Sequence, residues 1–129
     1  MIGHLNIPDL VENNRPSSIA SVVVQDLLQK QMGFKGLVIT DAMDMKGVVD
    51  FVGKSNADLE AFLAGNDVIL ISNENLAGIK AIKHAVTRGQ ITEVRLAHSV
   101  KKVLAAKYLV GLDQYQPTEI TNITKDLNS

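Results

Sequence analysis

The chain has 129 residues, 46% hydrophobic and 21% charged, and its 13 basic against 14 acidic side chains give a formal net charge of -1. That is an ordinary globular composition, and the even charge excludes the overall basic excess by which proteins hold a nucleic-acid backbone, so nucleic acid is not an expected partner. Cysteine is absent, which excludes disulfides, thiolate catalysis and cysteine-ligated metal, and the three histidines, His4, His84 and His98, are too dispersed to suggest a histidine metal site.

In chain order, residues 1–5 are short and apolar enough for a strand, and residues 6–18 form a loop rich in Pro and Asn. Ser21 can cap a helix whose Val23, Val24, Leu27 and Leu28 recur at helical spacing, with Gly33 where a left-handed cap is wanted. After a turn over 34–36, residues 37–40 read as a short buried strand. Ser55 or Asn56 starts the next helix, through Leu59, Phe62 and Leu63; Gly65 and Asn66 stop it, and residues 68–71 are a second buried strand. Two further helices are expected over about 75–87 and 92–110, separated by Gly89 and ended by Gly111. The second carries Leu96, Val100, Val103, Leu104 and Leu109 on one broad face, while Lys101, Lys102 and Lys107 read as its solvated face. From Asp113 the chain turns polar and loses its period, as a linker or tail would.

This alternation predicts an α/β fold with a parallel sheet, in strand-helix units. A strand at residue 1 has no lead-in, and parallel sheets cover both faces and edges, so a preceding segment is expected. The longest apolar runs, such as 68–71, fall far short of the roughly 20 residues that cross a bilayer, and no export signal is evident; the compartment stays open.

In parallel α/β architectures working side chains stand at the carboxyl ends of strands, which points to His4, Asp41 and the pair Ser72 and Asn73. Asp41 is the sharpest, because the strand before it would deliver a carboxylate onto the rim; the alternative is a solvated turn aspartate or a cap. Asp44 would share a face with Asp41 only if the segment were helical, and two such carboxylates more often mark a helix start than an acid/base pair. Met43 and Met45 could line an apolar platform, although methionine more commonly fills core. His4 reads as a proton-transfer or ligand group, or as a hydrogen-bonded structural histidine; His84 and His98 read as surface groups.

Together these stretches resemble glycoside hydrolase family 3, in its β-N-acetylhexosaminidase branch. Residues 21–45, SVVVQDLLQKQMGFKGLVITDAMDM, are similar to the family's helix, its Gly-Phe-x-Gly turn and the strand ending in Thr/Ser-Asp-x-x-x-Met. The stretch AGNDVIL from Ala64 resembles the next strand, GQI from Gly89 through Lys107 resembles the last barrel helix, and MIGH followed by Pro8 resembles a Met-x-x-His-x-x-x-Pro strand. The resemblance implies that residues 1–112 are part of a (β/α)8-type TIM barrel, about its last three strand-helix units, with 113–129 a linker or tail before a possible further domain. It implies that Asp41 is the nucleophile of a retaining enzyme, that His4 contacts substrate or orients Asp41, and that Met45 lies near a sugar subsite. The implied substrate is an N-acetylglucosamine-containing glycoside, and no cofactor or metal is implied. The Lys-His-Phe-Pro-Gly-His-Gly-Asp type of loop that supplies the branch's proton donor is not in this sequence, so the chain alone is expected to be inactive or nearly so. A non-catalytic sugar-binding remnant and a phosphoacceptor receiver domain are the alternatives; the latter lacks an acidic pair after its first strand, where Gly3, His4 and Asn6 stand.

Overall fold

The computed structural model describes residues 1–54, 56–72 and 74–117, together with Thr124 and Leu127. Strand β1 (Ile39–Ala42) pairs in parallel with β2 (Val68–Leu70). The crossover between them holds two α-helices, α1 (Lys46–Val52) and α2 (Ala57–Ala64). After β2 come α3 (Asn75–Thr87) and α4 (Glu93–Leu109). The mixed α/β class and the parallel pairing agree with the sequence reading.

The amino-terminal strand is reduced to one parallel bridge, Ile2 with Thr40, on the edge of β1 opposite β2. Ile2 donates to the Ile39 carbonyl and accepts from the Asp41 amide, both at 2.8 Å. Beyond Ile2 the backbone leaves the sheet because Ser17 captures it: the Ser17 hydroxyl donates to the Gly3 carbonyl and accepts from the Leu5 amide. The expected loop over 6–18 is therefore anchored at its end, where Ser17, Ser18, Ile19 and Ala20 are all buried.

The expected strand over 37–40 lies two residues further on. The Val38 amide is taken by the Asp67 carboxylate and its carbonyl by the Asp67 and Val68 amides, so the regular ladder starts at Ile39. The helix expected from Ser21 forms as a π-helix, Val22–Gln31, without a Ser21 side-chain cap. Gln25 and Gln29 on this helix reach across to the Leu63 and Gly65 carbonyls at the end of α2. Helix α1 has no counterpart in the sequence reading, and Asn56 donates back to Val52 rather than capping α2. By contrast α3 and α4 fall where expected, with Thr92 accepting from the Arg95 amide at 3.1 Å as a side-chain N-cap.

The core beneath the strand ends is formed by Ile19, Met43, Val48, Ala57 and Ala61, with a second cluster of Phe62, Ala85 and Ile91 joining α2 to α3 and the following turn. The broad apolar face of α4 lies open, Leu104 at 58% and Leu109 at 83% exposure. Of the tail, residues 118–123, 125, 126, 128 and 129 lie outside the described residues.

Candidate functional site

Asp41 occupies the third position of β1, at its carboxyl end, and owes its setting to a bulge. Ile39 is paired with Val68 and Ala42 with Leu70, so β1 spends one more residue than β2 over the same stretch. The side chain of buried Thr40 repairs the ladder, its hydroxyl accepting the Leu70 amide at 3.0 Å in place of a backbone carbonyl. Bulges of this kind re-aim side chains, and here the re-aimed residue is Asp41. Its carboxylate is half-buried; Oδ1 accepts the Ala42 amide at 2.8 Å, and Oδ2 has no protein partner among the described residues. The backbone N–H fixes one carboxylate oxygen and leaves the other open, the arrangement a nucleophilic carboxylate requires.

His4 stands beside this strand end with both ring nitrogens committed. Nε2 lies 2.9 Å from the Ala42 carbonyl oxygen and must donate to it. In the neutral ring Nδ1 then accepts from the hydroxyl of the fully buried Ser18, 2.6 Å away. The arrangement fits the orienting role for His4 better than a direct hydrogen bond to a ligand. Ser18 and Thr40 had no local signal as site-forming residues, because their partners lie 14 and 30 residues away.

The methionines separate. Met43 is completely buried in the core, whereas Met45 is 47% exposed at the N-cap of α1. Asp44 is exposed in the turn between β1 and α1, so it shares no helical face with Asp41. Ser72, at the end of β2, faces inward: it donates to the buried Asp58 carboxylate and accepts from the Glu74 amide. Its expected companion Asn73 lies outside the described residues. His84 and His98 are exposed on α3 and α4.

The opposite end of the strands is held by Asp67, whose side chain is 1% exposed. It accepts from the Val38 amide, from Ser99 at 2.6 Å and from Lys102 at 2.9 Å. Lys102 is therefore not part of a solvated face; the spacing that grouped it with Lys101 and Lys107 could not show an acid 35 residues away. Arg95 completes the cluster, donating to the Asn66 carbonyl and lying 4.6 Å from the Phe62 ring centroid.

Residues 1–106 match the family model described as the glycosyl hydrolase family 3 N terminal domain. The chain belongs to glycoside hydrolase family 3. A β-N-acetylglucosaminidase/β-glucosidase of Cellulomonas fimi is 29% identical, over 87% of this chain and 22% of its own length. A β-hexosaminidase of Vibrio cholerae serotype O1 is 30% identical, over 79% of this chain and 30% of its own length. Among solved structures, a family 3 β-N-acetylglucosaminidase of Paenibacillus superposes with a TM-score of 0.81 at 29% identity, over 88% of this chain and 22% of that one. The chain thus spans less than a third of the length of each of these relatives. Membership in family 3 removes the phosphoacceptor receiver alternative. Among the described residues no helix is long and apolar enough to cross a membrane, and no three His, Cys, Asp or Glu side chains gather as a metal site would require.

Proposed function

We propose that this chain supplies the nucleophile-bearing section of a retaining glycoside hydrolase acting on terminal β-linked N-acetylhexosamine. In this reading residues 1–112 are about the last three strand-helix units of a (β/α)8-type barrel, and 113–129 are a linker or tail. The observation that carries it is the Asp41 carboxylate at the bulged end of β1, with Oδ1 held by the Ala42 amide and Oδ2 without a protein partner among the described residues.

Asp41 Oδ2 attacks the anomeric carbon as the bond to the leaving oxygen breaks, giving a covalent glycosyl ester that water then hydrolyses with net retention. His4 positions the nucleophile through the Ala42 carbonyl, and Met45 offers an apolar edge to the sugar. The leaving oxygen must be protonated, and the donor comes from a segment of the enzyme other than this sequence. Loss of that proton transfer alone typically costs about 10²- to 10⁴-fold in rate, so the chain by itself turns over little or no substrate.

Trapping the longer enzyme with a fluorinated N-acetylglucosaminide and mapping the labelled peptide tests the assignment: the label is expected on Asp41. A label elsewhere overturns it. In Asp41→Asn the amide oxygen can still accept the Ala42 N–H, so the fold is retained while labelling disappears. Sugar binding without any covalent label would instead identify a non-catalytic sugar-binding module.

A further inference from the structure

Helix α3 carries Lys80, His84 and Arg88 at successive turns, Arg88 being its C-cap, with Lys83 and Thr87 beside them. Between Glu74 and Glu93 the sequence has no acidic residue, although the chain as a whole is balanced to a net charge of -1. The other described arginines are paired differently: Arg15 with Glu60, and Arg95 with Asp67. Among the described residues, the side chains of Lys80, Lys83, His84 and Arg88 have no hydrogen-bond or ion-pair partner.

Like charges one turn apart on a helix repel, so this row costs the free chain stability. The negative end of the helix dipole favours a cation at Arg88, the C-cap, but acts little on Lys83 and Lys80, more than a turn further back. Lys80, His84 and Arg88 border a groove of about 340 Å³ that faces Leu59 of α2, and with Lys83 and Thr87 they form the adjoining outer surface of α3. Positions 80, 84 and 88 rise about 6 Å per step and about 12 Å in all, at about 1.5 Å per residue.

We propose that this face of α3 binds a small multiply phosphorylated ligand, whose phosphate groups lie along the row formed by Lys80, His84 and Arg88, with Lys83 at its side. The long side chains of Lys80, Lys83 and Arg88 can converge on a ligand shorter than the row itself, and the groove toward Leu59 has room for a compact oligophosphate. Three or four cations on one short helix are too few to hold a nucleic-acid duplex. The site is separate from Asp41 and does not depend on its role.

Titration of the full 129-residue chain with inorganic tripolyphosphate at low salt, followed by two-dimensional amide NMR, tests the proposal. The expected result is saturable binding with shifts concentrated in residues 80–88 and an affinity that falls as salt is added. The triple variant K80Q/K83Q/R88Q changes only exposed side chains and is expected to keep its circular dichroism and lose at least tenfold in affinity. The control K101Q/K107Q, which removes two exposed lysines of α4, is expected to bind like the parent. Absence of saturable binding, equal weakening in both variants, or equal binding of sulfate and tripolyphosphate overturns the proposal, the last because it indicates general ion attraction.

Discussion

His4 Nε2 donates to the carbonyl oxygen of Ala42 across 2.9 Å, tying the segment after Ile2 to the residue that comes after Asp41. The other ring nitrogen is bonded to Ser18, which is itself fully buried. Removing the ring in His4→Ala leaves the fully buried Ser18 hydroxyl without a partner, while the Ala42 carbonyl keeps the Met45 amide; one orphaned buried group costs about 1–3 kcal/mol. The expected outcome is a lower urea midpoint with an unchanged m-value. If His4 orients Asp41, as proposed, His4→Ala is further expected to lower kcat in the assembled enzyme more than it raises KM; the reverse split would make it a sugar contact.

Gly78 of α3 lies against Asp58 of α2 so closely that a Cβ on Gly78 would overlap Asp58 Oδ2 and stand 2.9 Å from its Cγ and 3.0 Å from its Cβ. Alanine is the better helix former by about 1 kcal/mol, yet overpacking of this kind costs about 1–3 kcal/mol. Because Asp58 is buried and bonded to Ser72, it cannot swing aside. Gly78→Ala is therefore expected to destabilise the chain by up to about 2 kcal/mol in chemical denaturation, the overlap outweighing the propensity gain. In an Asp58→Ala background the Oδ2 and Cγ overlaps are gone and only the 3.0 Å Cβ contact remains, so the same change is expected to cost less, and that coupling in a double-mutant cycle separates overlap from propensity.

Burial by itself pushes the Asp67 carboxyl up, but hydrogen bonds from Ser99, the Val38 amide and Lys102, with the charge of Lys102, outweigh it and hold the group below the ordinary carboxylate value. A depressed folded-state pKa makes a stabilising contribution that is complete above the unfolded value, about 3.9, and is lost as pH falls through the folded one. Stability is thus expected to drop below about pH 3.9, with Asp67→Asn showing a shallower acid slope. At neutral pH, Asp67→Asn leaves Lys102 and Arg95 facing a neutral group in an enclosed site. Breaking a buried pair of this kind costs about 3–5 kcal/mol, measurable as a fall in Tm.

Much of this arrangement could be read in the chain itself, and the parts that could not share a physical cause. Helices α3 and α4 were legible because their stop and cap signals, Gly89 and Thr92, are local to the elements they bound. Asp41 was legible as a rim carboxylate because a strand delivers it, whichever residues that strand comprises. The bulge was not, since it depends on Thr40 replacing a backbone acceptor for Leu70, a contact between separate segments. The same holds for His4, whose partners are 14 and 38 residues away, and for Lys102, whose acid lies on the far side of α3 in sequence. Helix α1 escaped because Gly47 and adjacent Val48 and Val49 weaken helical propensity; buried Val48 ties it to the core.

Met43 and Met45 stand two and four residues after Asp41, and periodicity alone assigns neither of them a role. Their surroundings give them opposite energetics. Met43 is completely buried against Ile19, Val48, Ala57 and Ala61, so Met43→Ala opens a cavity and is expected to cost about 2–5 kcal/mol in denaturant unfolding. Met45, 47% exposed, has little burial to lose, and Met45→Ala is expected to change stability by no more than about 0.5 kcal/mol. If Met45 lines a sugar subsite, the same substitution raises KM in the assembled enzyme while leaving Tm unchanged. A shift in Tm comparable to that of Met43→Ala would instead make Met45 a packing residue and remove it from the site.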